Sequence, residues 1–560
     1  PRGILFDRHG MPLVDNRPAF TLSLIPRELE RDPVKRDATL GRLATLLRIP
    51  FADLQDAVAR VSADSILPVR VRRGLSMDDV AKVEEWKLEL PGVITEVEPQ
   101  RVYPNSRFAA HLLGYVREAS DEQLKQGRYR RGEMVGQSGL ERLLDEHLRG
   151  QDGGERIEVD AMGRPVRRVQ QTEPHSGAQV ITTIDRGIQE AAERAMEGLA
   201  GAVVVMDPRN GDVLAMVSTP AFELDRFTGT IDRDAWLRVV QDPNFPLLNR
   251  TIQTQYAPGS VFKIVVAAAG LQEGSITPLD RTHCSGEFQL GGTIFKDWKE
   301  GGHGTVDLRG AIQHSCNIFF YEAGLKIGGA QIVRYANMFG FGQPTGIDLP
   351  GEIPSEFPTG PEYYDRLYGP RRWTSAVALN LAIGQGENAQ TLVQMVRLYQ
   401  QLASDGRLRT PFVVRQATTT NDNASLDLSA DQISWLRRAM IAVVEQGTAR
   451  GSRLAALTIA GKTGTSQNSH GADHGGFIGV AAADKPEGVV GGVVGFAEHG
   501  TAVAPLVART IAHYLGIEDT RARTIRIAVP NDSAPQPFQL PGQDTVTPPV
   551  FTVPVVPIRP

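Results

Sequence analysis

Two short β-branched runs, 202–206 and 213–217, face each other across Pro208-Arg209-Asn210-Gly211, and this pairing constrains the fold more than any other feature of the chain. Asn and Gly tolerate the positive φ angles of a tight hairpin turn, so the two runs predict an antiparallel pair. Two further apolar runs, 477–483 and 489–496, bracket the turn Asp484-Lys485-Pro486-Glu487-Gly488 much later in the chain, and a helical stretch at 503–515 follows them. Upstream, 180–184 reads as a strand, and Asp185 caps a helix whose apolar stripe is Ile188, Ala192, Ala195 and Leu199. Strands at both ends of one segment with helices between them predict an α+β fold, an antiparallel sheet with helices packed on it.

The 560 residues suffice for two or three domains. Residues 1–175 form a separate, charge-rich unit of short elements. Strands are expected at 4–7 and 20–25, helices at 43–49, 77–90 and 139–148, and a hairpin of 156–159 with 165–169 about Met162-Gly163-Arg164. No chemical motif occurs there, so this half reads as scaffold. The segment 176–517 is the expected catalytic domain, and 518–560 a tail, since nine prolines fall within 530–560 and favour an extended chain. A net charge of −5, with no aromatic-basic platform, argues against nucleic acid as a partner. No apolar run reaches the ~18–20 residues of a membrane helix. The chain opens at Pro1 inside an expected strand, so an upstream segment is expected to be missing.

Chemistry enters at Tyr256-Ala257-Pro258-Gly259-Ser260-Val261-Phe262-Lys263. Pro and Gly end a loop, the apolar run 264–271 predicts a buried helix, and Ser260 and Lys263 fall three apart on one face of its first turn. A serine hydroxyl needs a neighbouring base, and a buried lysine can be that base once its pKa is lowered. Lysine is scarce, 10 residues against 50 arginines, and arginine cannot give up its proton to do this work. Alone, a Ser-x-x-Lys match is as well explained by an ordinary helix start.

Two further motifs strengthen the reading. Ser315 and Asn317, in His314-Ser315-Cys316-Asn317, lie 55 residues after Ser260. They suit a proton relay and an amide-binding group. Lys462-Thr463-Gly464-Thr465 follows the apolar strand 457–460, with Lys462 offering fixed positive charge to a carboxylate and Gly464 admitting a close substrate backbone. A phosphate-binding P-loop would require glycine at position 456, where Ala456 stands.

The order Ser-x-x-Lys, Ser-x-Asn, Lys-Thr-Gly resembles the penicilloyl-serine transferases, the penicillin-binding proteins and serine β-lactamases. The opening Arg2-Gly3-Ile4-Leu5-Phe6-Asp7-Arg8-His9-Gly10, the stretch Gly136-Gln137-Ser138-Gly139-Leu140-Glu141 and Gly384-Gln385-Gly386 are similar to class B penicillin-binding proteins. The elongation type, penicillin-binding protein 2, is nearer than the division type. The resemblance implies the penicilloyl-serine transferase fold on an elongated α+β pedestal of the dimerisation type, carried by one membrane helix absent from this chain, with the catalytic domain in the bacterial periplasm. It implies peptidoglycan D,D-transpeptidation without a cofactor for the chemistry. Ser260 would be the nucleophile, Lys263 the base, Ser315 and Asn317 the relay and amide binder, and Lys462, Thr463 and Thr465 the groups around the substrate carboxylate. The amides of Ser260 and Thr465 would form the oxyanion hole. Implied partners are D-Ala-D-Ala stem peptides with a diamino-acid acceptor, β-lactam antibiotics, a SEDS-type glycan polymerase and elongation scaffold proteins. The alternatives are a D,D-carboxypeptidase or β-lactam hydrolase, and a β-lactam sensor or scaffold that does not turn over.

A second cluster stands beside these motifs. Cys284, Asp297, His303 and Cys316 make an S/O/N/S set suited to tetrahedral zinc, with Gly291-Gly292 and Gly301-Gly302 letting the loop fold back. Asp280 or His283 would substitute for one member. The spacing leaves a Cys284–Cys316 disulfide or two unrelated thiols open. His470 and His474 are expected in a solvated glycine-rich loop.

Overall fold

A computed structural model describes residues 1–160, 165–228, 233–369, 375–415, 421–468 and 471–519. Its centre is a five-stranded sheet in the spatial order Val213–Thr219, Gly201–Met206, Gly488–Val494, His474–Ala481, Ala460–Ser466, antiparallel at every step. The early hairpin and the late hairpin therefore close one sheet. Every residue of Gly201–Met206 and Gly488–Val494 is buried, because helices cover both faces. The neighbouring glycines Gly491 and Gly492 mark the two covers. A β-carbon on Gly491 would lie 2.3 Å from Val396 of the helix Leu392–Ala403, and one on Gly492 would lie 2.8 Å from Val507 of Gly500–Tyr514. The helix Lys263–Gln272 is apolar on all sides apart from its ends, and its residues 263–270 are buried. Ala460–Ser466, at the edge of the sheet, carries Lys-Thr-Gly along the turn Gly259–Phe262.

The amino-terminal half builds a second sheet on the long strand Pro12–Leu24, which pairs with Val69–Leu75 and Val93–Val102. It has a small core of its own that includes Leu22, Leu40, Leu43, Leu54 and Val83. Leu5–Phe6 joins the halves by pairing with Val180–Ile181. Beside that junction, Arg2 and Arg101 both ion-pair with the fully buried Glu141, at 2.6 and 2.7 Å.

Several expected elements differ in extent. The helix expected over 139–148 is two, Gly139–Leu143 and Asp145–Leu148, because Leu144 (φ −100°, ψ 15°) leaves the helical region between them. The strand expected over 180–184 ends at Ile181, after which Thr182 and Thr183 bond to the backbone of Phe6 and Val413. Gly154–Val159 pairs with Pro165–Thr172 as expected, while the turn Met162-Gly163-Arg164 and the proline-rich tail from 520 onward lie outside the described residues. Among the described residues no helix is long and apolar enough to cross a membrane.

Candidate active site

Ser260 lies in a 3₁₀ turn, Gly259–Phe262, ahead of the helix rather than in its first α-turn. Three residues per turn place positions i and i+3 directly above one another, which brings Ser260 and Lys263 to one side. The turn is set by close backbone approaches. The Gly259 N–H donates to the Gly384 carbonyl at 3.0 Å, and a β-carbon on Gly259 (φ +53°) would lie 2.3 Å from the Thr465 carbonyl oxygen and 3.1 Å from its nitrogen. Gly384 (φ +72°) is equally constrained, since its β-carbon would sit 2.1 Å from the Gly259 carbonyl oxygen. The amide of Thr465 thus lies beside the turn that carries the half-buried Ser260.

Lys263 is fully buried, and its Nζ donates to the Ser315 carbonyl and to Asn317 Oδ1, each at 2.7 Å, with Ser315 Oγ at 3.4 Å. Lys462, also fully buried, reaches the same Ser315 hydroxyl at 2.9 Å from the sheet edge. Two amines therefore converge on one hydroxyl. Ser315 makes this possible by ending the helix Leu308–His314 in the left-handed conformation (φ +58°), an uncommon state for a serine that turns its carbonyl and the following Asn317 toward Lys263.

Burial lowers the Lys263 pKa to about 8, against the opposing pull of Cys316, Asp297 and Cys284. Burial, reinforced by the Lys263 charge, holds Lys462 well below the ordinary lysine range. Both ammonium forms are disfavoured in so small a dry space. The motif alone predicts a fixed Lys462 charge open to a carboxylate. Its amine is instead enclosed on Ser315, and its protonation depends on that of Lys263.

The rest of Lys-Thr-Gly has specific neighbours. Thr463 Oγ1 lies 2.7 Å from Thr448 Oγ1, a partner that nothing in the sequence flagged. Gly464 is needed by the protein itself. A β-carbon there would meet the Pro258 carbonyl at 2.7 Å and Val261 at 2.8 Å, so its small size admits the Gly259–Phe262 turn rather than a substrate backbone. Gln385, noticed in the sequence only for family likeness, donates from Nε2 to the Thr465 carbonyl at 3.3 Å. Asn317 Nδ2 donates to the Lys296 carbonyl at 3.2 Å, leaving one amide hydrogen for a ligand.

The second cluster adjoins this machinery. The donor atoms of Cys284, Asp297, His303 and Cys316 all lie within 4.8 Å of one another. Cys284 Sγ is 3.4 Å from Asp297 Oδ2 and 3.5 Å from His303 Nδ1, and His303 Nδ1 is 3.5 Å from Asp297 Oδ1. Both cysteines are free thiols, so the disulfide alternative is not formed. Asp297 Oδ2 also accepts the Asn317 N–H at 2.8 Å, which ties the cluster to the Ser-x-Asn turn. The two substitutes fall outside it: Asp280 accepts from Thr277 and Lys326, and His283 faces Thr305. His474 corrects an expectation. It opens the strand His474–Ala481, is 9% exposed, and its Nδ1 accepts from the Phe496 N–H, because pairing with Ser466 draws it into the sheet. His470 lies outside the described residues.

Comparison with known proteins identifies the family of the chain. Residues 201–513 match the penicillin binding protein transpeptidase domain, and residues 1–182 the penicillin-binding protein dimerisation domain. Peptidoglycan D,D-transpeptidase MrdA of Acinetobacter baumannii is 32% identical, over 92% of this chain and 80% of that protein. The complex of penicillin-binding protein PBP2 with MreC from Helicobacter pylori superposes with a TM-score of 0.82 at 26% identity, covering 92% of this chain and 98% of the other. A structure described as a peptidoglycan synthase complex coordinating polymerization and crosslinking has a TM-score of 0.73 at 28% identity, covering 93% of this chain and 91% of the other. The chain belongs to the penicillin-binding protein transpeptidases, with the α+β transpeptidase fold set on a dimerisation-type pedestal.

Proposed function

We propose that this chain is an elongation-type peptidoglycan D,D-transpeptidase, and the observation that carries the reading is the meeting of Lys263 and Lys462 on the Ser315 hydroxyl beside the Ser260 turn. Neutral Lys263 takes the proton of Ser260 as Oγ attacks the penultimate D-Ala carbonyl of a donor stem peptide. The N–H groups of Ser260 and Thr465 receive the developing oxyanion, at about 3–4 kcal/mol per donor in comparable hydrolases. Ser315, between the two amines, passes a proton to the departing D-Ala nitrogen. Asn317 binds the substrate amide, and Thr463 and Thr465 lie on the edge along which the peptide runs, while Gly464 seats the Ser260 turn. A diamino-acid amine of a neighbouring stem then attacks the acyl carbon, and its proton returns along the same relay. β-Lactams present a strained amide to the same serine.

The division into a pedestal (1–175), a catalytic domain (176–517) and a tail (518–560) fits this role. The relatives solved with MreC and within a peptidoglycan synthase complex support an elongation scaffold and a polymerase as partners, and the family resemblance implies that the polymerase is of the SEDS type and that the chain works at the periplasmic face of the inner membrane. The experiment supplies a stem pentapeptide donor and a diamino-acid acceptor. Cross-linked dimer that disappears after pre-labelling with penicillin is the expected product. Release of tetrapeptide without dimer would mark a carboxypeptidase instead, and stable acylation with no product a sensor.

We also assign zinc to the Cys284, Asp297, His303 and Cys316 cluster. Zinc bonds of about 2.0–2.3 Å imply tetrahedral edges of about 3.3–3.8 Å, and Cys284 Sγ stands within that range of both Asp297 Oδ2, at 3.4 Å, and His303 Nδ1, at 3.5 Å. His303 Nδ1 faces the set while its buried Nε2 has no hydrogen-bond partner. The ion would be structural, bracing Asp297 and Cys316 and so the position of Asn317. Protein purified without chelator is expected to carry one zinc per chain. Stripping it is expected to lower the melting temperature and slow penicillin acylation together, and full acylation in metal-free protein would remove the coupling.

A further inference from the structure

Two sulfurs in a four-ligand set are more than zinc requires, and they give this site a second chemical state. Cys284 ends the strand Arg281–Cys284, and Cys316 caps the helix Asn317–Ile327. Their sulfurs lie within 4.8 Å of each other across the same small space. Bound to one ion they would stand about 3.8 Å apart, whereas a disulfide bond is about 2.05 Å long, so rotation about two side-chain bonds is the scale of movement required. A sulfur bonded to its neighbour no longer carries the thiolate charge that holds zinc, so the two states exclude each other.

We propose that Cys284 and Cys316 form a peroxide-sensitive dithiol that exchanges bound zinc for a disulfide, an inference that rests on the zinc assignment above. One thiolate attacks the peroxide O–O bond, giving a sulfenic acid and hydroxide. The second thiolate then attacks that sulfur and expels a second hydroxide. With two protons taken up, two thiolates and one hydrogen peroxide yield one disulfide and two waters, and the ion leaves. Both thiols are buried, at 1% and 0% exposure, which excludes a protein disulfide oxidase and leaves only an oxidant as small as peroxide.

The consequence reaches the active site through the backbone. Cys316 separates Ser315, which holds both lysines, from Asn317, whose N–H is fixed by Asp297. Swinging the Cys316 sulfur toward Cys284 withdraws it from the Phe319 N–H that it caps. Asp297 and His303 lose the ion that joined them to the two sulfurs. Displacements of this size next to reacting groups reduce rates by about tenfold or more.

The test treats the full zinc-loaded chain with hydrogen peroxide and follows zinc release with a chromophoric chelator, intact mass and penicillin acylation. The expected result is one equivalent of zinc released, a mass loss of about 2 Da, and a cross-linked peptide pair containing Cys284 and Cys316. Acylation falls about tenfold on the same time course, and reductant with zinc restores all four readouts. Cys284→Asp keeps an oxygen donor in the set and is expected to hold zinc without showing the mass loss or the cross-link. Zinc retained under peroxide, or thiols carried to sulfinic acid with no cross-link, would overturn the dithiol while leaving the zinc assignment intact. Purified chain without zinc would overturn that assignment first, and the exchange with it.

Discussion

Ser260→Ala is expected to abolish covalent labelling by a fluorescent penicillin, and Lys263→Met to slow it by about a thousandfold. Methionine fills the lysine's volume without a charge or a base, so the buried packing around position 263 survives. Lys263→Arg is expected to fail as well, since a guanidinium keeps its proton at any working pH. The sign of the pH dependence follows from the base role. Lys263 must be neutral to accept the Ser260 proton, and burial places its pKa at about 8 rather than 10.5. The acylation rate therefore rises with pH, close to tenfold per unit below about 8, and levels above it. In Lys263→Met the slow residual rate loses this limb. A wild-type profile flat from pH 6 to 9, or a methionine variant labelled at the normal rate, would remove Lys263 as the base.

The lysine pair also shows where sequence reading succeeds and stops. Three short motifs could be picked out because lysine is rare here and each motif has a fixed internal spacing. Their convergence, however, depends on an antiparallel sheet whose first and last strands lie far apart in the chain, and no local pattern encodes that the edge strand Ala460–Ser466 meets the Gly259–Phe262 turn. The cluster of Cys284, Asp297, His303 and Cys316 is legible for a similar reason, since both cysteines and rare ligand types crowd one segment. Thr448 gives no signal, because a hydroxyl with one long-range partner looks like any surface residue, and Gln385 stands out only through family likeness, with nothing local to point at the Thr465 carbonyl. His474 misled because glycines on both sides suggest a loop. In the structure Gly475 and Gly476, on its carboxyl side, are small residues in a crowded strand, where a β-carbon on Gly475 would lie 2.7 Å from the His499 carbonyl. The same physics explains Gly464. Glycine in a strand signals a close approach, but not whose backbone approaches.

Glu141→Ala is expected to destabilise the pedestal by about 3–5 kcal/mol, although it lies in the half of the chain without chemistry. Glu141 accepts from Arg2 Nε at 2.6 Å and from Arg101 Nε at 2.7 Å, while its backbone carbonyl takes Arg2 Nη2 at 2.8 Å. Arg101 Nη1 donates to the Gly3 carbonyl at 2.6 Å, and Arg2 Nη1 donates to Asp145 at 2.8 Å. Side-chain exposures of 0% for Glu141, 3% for Arg101 and 9% for Arg2 mean that water cannot replace the lost carboxylate. The approach is tight as well as charged, since a β-carbon on Gly136 would lie 1.9 Å from the Glu141 carbonyl. Removing the carboxylate leaves the Arg101 guanidinium buried without a counter-ion and Arg2 with Asp145 alone. Replacing all three charges with apolar residues of similar size removes that unpaired charge and leaves Asp145 paired with Arg149, so the Arg2→Met, Arg101→Met, Glu141→Leu triple variant is expected to recover most of the loss. Denaturant unfolding monitored at the first transition measures both. Penicillin acylation below that transition is expected to stay within about twofold of wild type, because the lysine pair and the Ser260 turn make none of these contacts. A triple variant no more stable than Glu141→Ala would mean that packing, rather than buried charge, holds these stretches together.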